Sequence, residues 1–161
     1  ISPSVSPLLL SKHSPPSSRC MAPVRVCALS GANMPNNVDW WPRNSLPDTF
    51  VRLSLVESNG AVASTEYSSP HISNNVSPQW NFCRDLTPSV PIFSVRIDVY
   101  DYDYATNQLL GRVFALGSTS TPGTQARRLV TSSPYTVPSP QCSSGYACVT
   151  FTVTQLVPPS P

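Results

Sequence analysis

The chain has 161 residues, a net charge of +2 and 11% charged residues, against about 25% in an ordinary soluble domain, and its 19 prolines outnumber its 6 glycines. That length suits one domain with a core of its own. The small charge and scattered arginines argue against nucleic acid as a partner, and no apolar run approaches the roughly 20 residues of a membrane span.

In chain order, a Ser/Pro-rich tail comes first, over residues 1–21. Ser2-Pro3, Ser6-Pro7 and Ser14-Pro15-Pro16 recur in it, and "VPPSP" closes the chain as a second tail over 157–161. Proline fixes φ and removes an amide donor, so both tails favour extended polyproline II over packed structure. This composition resembles linkers of hydroxyproline-rich extracellular matrix glycoproteins. The resemblance implies a secreted, O-glycosylated protein, with hydroxyproline at Pro3, Pro7, Pro15 and Pro16, at the cell surface or in the matrix. The apolar piece "VSPLLL" in the first tail either packs on its own domain or adds to a sheet edge of a neighbour. In the second case the tails join protomers into a fibre.

Residues 22–156 read as strands. "PVRVCAL" alternates Val24, Val26 and Ala28. "TFVRLSLV" sets Val51, Leu53 and Leu55 against Phe50, Arg52 and Ser54. "QWNFCRDL" is a short aromatic strand, and "SVRIDVY" places Val95, Ile97 and Val99 on one face with Arg96 and Asp98 opposite. "GRVFAL" and "RRLVTS" follow, and "CVTFTVTQL" turns Val149, Phe151 and Val153 inward with Thr150, Thr152 and Thr154 outward. This period of two recurs between Pro, Ser, Asn and Gly turns, and no stretch sustains a 3.6-residue period. The expected fold is all-β: an antiparallel sandwich of eight strands with extended tails.

There are five cysteines, none in C-x-x-C spacing and none near His13 or His71 as a zinc pair would require. Cys142 and Cys148 flank "SSGYA" and are expected to close a short disulfide loop in an oxidising compartment. The pairing of Cys20, Cys27 and Cys83 stays open, as does the alternative of buried thiols in a reduced protein. Asn75-Val76-Ser77 is a glycosylation sequon followed by Pro78.

Four of the six aspartates, Asp39, Asp48, Asp101 and Asp103, fall in two loops. Paired carboxylates also serve glycosidases, but those need a sugar cleft, usually on a larger scaffold. Solvated turn aspartates are the plain alternative. Calcium takes six to eight oxygen ligands from carboxylates, amides, carbonyls and water in flexible loops. Asn107 or Gln108 would add an amide oxygen to the four carboxylates.

Three motifs in order resemble those of C2 domains: Asp48-Thr49-Phe50-Val51, Ser77-Pro78-Gln79-Trp80-Asn81, and the segment from Val95 to Gly111. The resemblance covers roughly residues 22–156 and implies an eight-stranded C2-like sandwich that binds calcium at one end. By that resemblance Asp39 and Asp48 in the first loop, and Asp101 and Asp103 in the third, are metal ligands. Gln108, beside Asn107, stands where the family has its last acidic ligand. A neutral amide is the weaker donor, so one ion is implied, with affinity near 10⁻⁴–10⁻³ M, roughly that of extracellular modules.

Trp40, Trp41, Tyr102 and Tyr104 share these loops, and such rings favour the headgroup level of a bilayer. Many C2 domains dock on lipid through such tips. Against that, only Arg127 and Arg128 are adjacent and no polybasic patch is evident. The chain lacks G-x-S-x-G, P-loop and H-E-x-x-H motifs, so no enzyme is expected. The leading expectation is an extracellular assembly module with structural calcium. The alternative is a calcium-dependent module that docks on anionic phospholipid.

Overall fold

A computed structural model describes residues 21–36, 45–117, 123–131 and 138–156. Among these residues eight strands form two antiparallel four-stranded sheets: β1 (Val24–Ala32), β2 (Thr49–Val56), β3 (Tyr67–Ser68), β4 (Gln79–Leu86), β5 (Ser94–Asp101), β6 (Gln108–Leu116), β7 (Thr124–Arg128) and β8 (Cys148–Gln155). The sheet orders are β4-β1-β8-β7 and β3-β2-β5-β6. No helix occurs among the described residues.

The alternation in sequence decides which face of each strand is buried. Val24, Val26 and Ala28 meet Val149, Phe151 and Val153 on one inner face, while Val51, Leu53, Leu55, Val95, Ile97 and Val99 form the other. Trp80 and Phe82 of β4 extend this core, and the Trp80 Nε1–H reaches the Thr49 carbonyl at 3.3 Å. The threonines of β8 stay at least partly exposed.

β2 and β5 depart from simple alternation because their outer face is covered too. Phe50, Ser54, Arg96 and Asp98 are all buried on it, as is Phe114 of β6. The segment at Ser139 lies along β6, with the Phe114 N–H donating to Ser139 Oγ at 2.8 Å and the Ser139 N–H to the Phe114 carbonyl at 3.0 Å. On this face sits an ionic cluster. Asp98 meets Arg112 Nε at 2.9 Å and Arg96 Nε at 3.2 Å, and Arg96 also meets Glu66 at 3.0 Å.

One strand expectation is corrected. "RRLVTS" is strand only over its first two residues: β7 runs Thr124–Arg128, and the Leu129 N–H still reaches the Ala147 carbonyl at 2.9 Å before Val130 turns to the other sheet. Val130 instead exchanges both backbone hydrogen bonds with Arg112 of β6, each at 2.9 Å. Leu129 fills the space over Gly111, where an added Cβ would lie 2.8 Å from Leu129 Cδ2. The missing side chain is what lets this crossing close one side of the sandwich. The eighth strand, Tyr67–Ser68, is only two residues long and carries no period to read.

Two disulfides form among the described residues. Cys142–Cys148 closes the short loop, and Cys27–Cys83 ties β1 to the edge strand β4 at directly opposed positions. Cys20 lies outside the described residues, as do residues 1–20 and 157–161 of the tails, with Pro3, Pro7, Pro15 and Pro16.

Candidate functional site

One end of the sandwich collects the connections β1–β2, β3–β4 and β5–β6. Backbone hydrogen bonds join them there: Met34 N–H to Val76 O at 2.9 Å, Asn75 N–H to Pro47 O at 3.1 Å, and Tyr102 N–H to Asp48 O at 2.8 Å. The β1–β2 and β5–β6 connections leave strands whose inner faces are fixed by the core, and the β3–β4 connection is held to them by the bonds of Val76 and Asn75.

Asp48 is the junction. Its N–H donates to Asp101 Oδ1 at 2.7 Å, and its own Oδ1 accepts the Asn74 N–H at 2.6 Å. Asn74 sits at φ +52°, the left-handed conformation that asparagine tolerates better than most residues. Asp101 closes β5 and is 1% exposed. The strand register sets it opposite Thr49 on β2 and opposite Gln108 on β6. Asp103 is half-buried in the β5–β6 loop, while Asn107 and Gln108 are exposed.

The structure therefore brings Asp48 and Asp101 into one hydrogen-bonded pair, with Gln108 across the ladder and Asp103 two residues on. Asp39, Trp40 and Trp41 lie outside the described residues. Among the described residues, no group of three or more His, Cys, Asp or Glu side chains is arranged to hold a metal ion. The residues at this end offer carboxylate oxygens (Asp48, Asp101, Asp103) and side-chain amide oxygens (Asn107, Gln108), donor types suited to a hard cation.

Beside the acids stands an aromatic and cationic wall. Tyr102 is 42% exposed and Tyr104 fully exposed. The His71 and Tyr102 rings stack at 4.2 Å between centroids and 5° between planes. An open cleft of about 290 Å³ runs past Phe50, Arg52, His71, Tyr102 and Asn107. The Arg52 guanidinium lies 4.9 Å from the Tyr100 ring centre, and its Nε donates to Ser68 Oγ at 3.2 Å. No carboxylate among the described residues pairs with it.

Sequence reasoning gave no role at this site to Arg52, His71 or Asn74. Arg52 has no local signal, because it reaches the cleft from the outer face of a strand. Asn74 had one, the Asn74-Asn75 turn pair. Asn75, the sequon residue, is half-buried, with Oδ1 accepting the Ser77 N–H at 2.8 Å.

Known proteins share this fold. The family model described as C2 domain matches residues 23–131. No curated protein matches in sequence. Among solved structures, human GIVD cytosolic phospholipase A2 is similar over 85% of this chain and 17% of its own, at 17% identity and TM-score 0.56. The two calcium-bound C2 domains of extended-synaptotagmin 2 are similar over 83% of this chain and 45% of their own, at 12% identity and TM-score 0.63. A solved C2 domain is similar over 84% of this chain and 99% of its own, at 15% identity and TM-score 0.57. At these identities the likeness is one of fold, and this chain spans less than half the length of the first two.

Proposed function

Because the chain belongs to the C2 domain family, we propose that it docks on anionic phospholipid surfaces with calcium held at its loop end. The observation that carries this reading is the Asp48–Asp101 pair, at 2.7 Å between the Asp48 nitrogen and Asp101 Oδ1, set beside the exposed rings of Tyr102 and Tyr104. That one solved relative is described as calcium bound supports it.

In this reading Asp48, Asp101 and Asp103 would hold one ion, with Asp39 from the same β1–β2 connection as Asp48 and the amide oxygens of Asn107 or Gln108. When bound, calcium would supply positive charge beside these carboxylates and so favour anionic lipid phosphate. The chain supplies the rest. The β2 and β5 ends fix the spacing of Asp48 and Asp101. Tyr102 and Tyr104, with Trp40 and Trp41, sit at headgroup level. Arg52, free of any described carboxylate, meets a headgroup phosphate in the cleft. The module binds and performs no chemistry of its own.

Two disulfides favour an oxidising compartment, secreted or at the cell surface. They and the Ser/Pro composition of the tails favour a second reading, in which residues 1–21 and 157–161 join glycosylated protomers into a matrix.

Co-sedimentation with vesicles of phosphatidylcholine, with and without phosphatidylserine, tests both. The protein is expected to pellet with phosphatidylserine vesicles in calcium and to stay in solution in EGTA or with phosphatidylcholine alone. Equal pelleting in calcium and EGTA would remove the ion from the reading. Protein that pellets without any vesicle, in EGTA as in calcium, would establish the assembly reading in its place.

A further inference from the structure

The β7–β8 connection returns to the same end of the sandwich as the aspartate loops. Cys148, the first residue of β8, lies in register between Ala32 at the end of β1 and Arg128 at the end of β7. Its disulfide to Cys142 closes the intervening residues into a small projecting loop. The Tyr146 N–H bonds the Ser143 carbonyl at 3.3 Å, and Gly145 takes φ +85°, which glycine allows at no steric cost. Asn33 Nδ2, at the start of the β1–β2 loop, donates to the Tyr146 carbonyl at 3.3 Å. The loop is thus tied at both feet by the disulfide and to its neighbour by a side chain.

This tether presents a defined pair. The Arg128 guanidinium lies 3.4 Å from the centre of the Tyr146 ring, and Tyr146 remains 47% exposed. Residues 141–147 contain no acid. Neither Arg127 nor Arg128 pairs with a carboxylate among the described residues. Arg127 is held inward by the Ser139 carbonyl at 2.7 Å. The Val130–Arg112 exchange joins this side of the molecule to β6, whose first residues follow the Tyr102–Tyr104 loop.

We propose that the disulfide-closed loop at Cys142–Cys148 is a fourth docking element, with Tyr146 seated at the headgroup level and Arg128 meeting lipid phosphate. It rests on the docking function proposed above and assigns one surface to one partner, an anionic phospholipid bilayer. The chemistry is complementary. A phenol ring stacked on a guanidinium has an apolar body for the interface and a cation for phosphate. The disulfide holds the pair in place before binding, so little ordering entropy is lost on docking.

The test measures binding to phosphatidylserine vesicles in calcium for the intact protein, Tyr104→Ala, Tyr146→Ala and Arg128→Gln. All three changes are at or near the surface, and circular dichroism checks that each protein is folded. Arg128→Gln is expected to weaken binding about fivefold, the effect of one basic residue near an anionic surface. Tyr146→Ala is expected to weaken it as well, with Tyr104→Ala as the reference for the aspartate-loop side. If Tyr104→Ala weakens binding while Tyr146→Ala and Arg128→Gln bind as the intact protein does, the fourth element is overturned and docking stands. If the intact protein binds no vesicle, both are overturned together.

Discussion

Replacing Asp98 with alanine is expected to destabilise the protein by about 3–5 kcal/mol, read from the urea midpoint. Asp98 is 1% exposed and Arg96 8%, so neither charge can turn to water when the other is removed. Asp98→Ala leaves Arg96 with only Glu66, and leaves Arg112 without its 2.9 Å partner. The charge left unpaired, rather than the strength of the bridge, sets the size of the effect. The double variant Asp98→Ala/Arg96→Leu should therefore recover most of the loss, because a buried ion pair replaced by apolar residues is often neutral for stability.

The pH dependence follows from the same burial. Burial pushes the Asp98 carboxyl above the ordinary carboxylate value, with the Arg96 and Arg112 charges pulling part of the shift back. A carboxyl raised in the folded state binds its proton more tightly there than in the unfolded chain. Its contribution is favourable below the unfolded value and is lost as pH rises through the folded one. Asp98→Asn, which does not titrate, should remove that decline from the curve of urea midpoint against pH.

Replacing Asp101 with asparagine is expected to abolish calcium-dependent retention on phosphatidylserine vesicles while leaving the fold intact. The amide keeps an oxygen for the Asp48 N–H, now held at 2.7 Å, so the loop junction has its acceptor. What disappears is a negative charge at the centre of the proposed ion site. Outer-shell changes around metals cost about 10–100-fold in affinity, and a direct ligand should cost no less. Calorimetric titration with calcium should show affinity reduced by at least about tenfold. Unchanged affinity would place the ion elsewhere, and no heat of binding with the intact protein would remove it.

The inner faces were legible in the sequence wherever one side of a strand was dry and the other wet, as in β8 with its valines and threonines. On β5 both faces are buried, and the polar Arg96 and Asp98 disguised an interior cluster as an outer surface. β7 was misplaced because Leu129 and Val130 look like strand residues, yet their partners are a glycine and a backbone segment on the opposite sheet. The aspartates at 48 and 101 could be picked out because acids are scarce in this chain and sit at strand ends. Arg52 could not, because only the pairing of β2 with β5 and β3 turns it toward the cleft. The Cys142–Cys148 loop was visible as a spacing, but the stacking of Tyr146 on Arg128 depends on register between β7 and β8.

The most direct measurement is hydrogen exchange of the protein bound to phosphatidylserine vesicles in calcium, compared with the free protein. Docking by the aspartate-loop end predicts slower exchange at residues 69–78 and 101–107, and unchanged exchange at the opposite end, over 57–66 and 87–93. Slower exchange confined to that opposite end, or none anywhere with the protein bound, would contradict the proposed docking face.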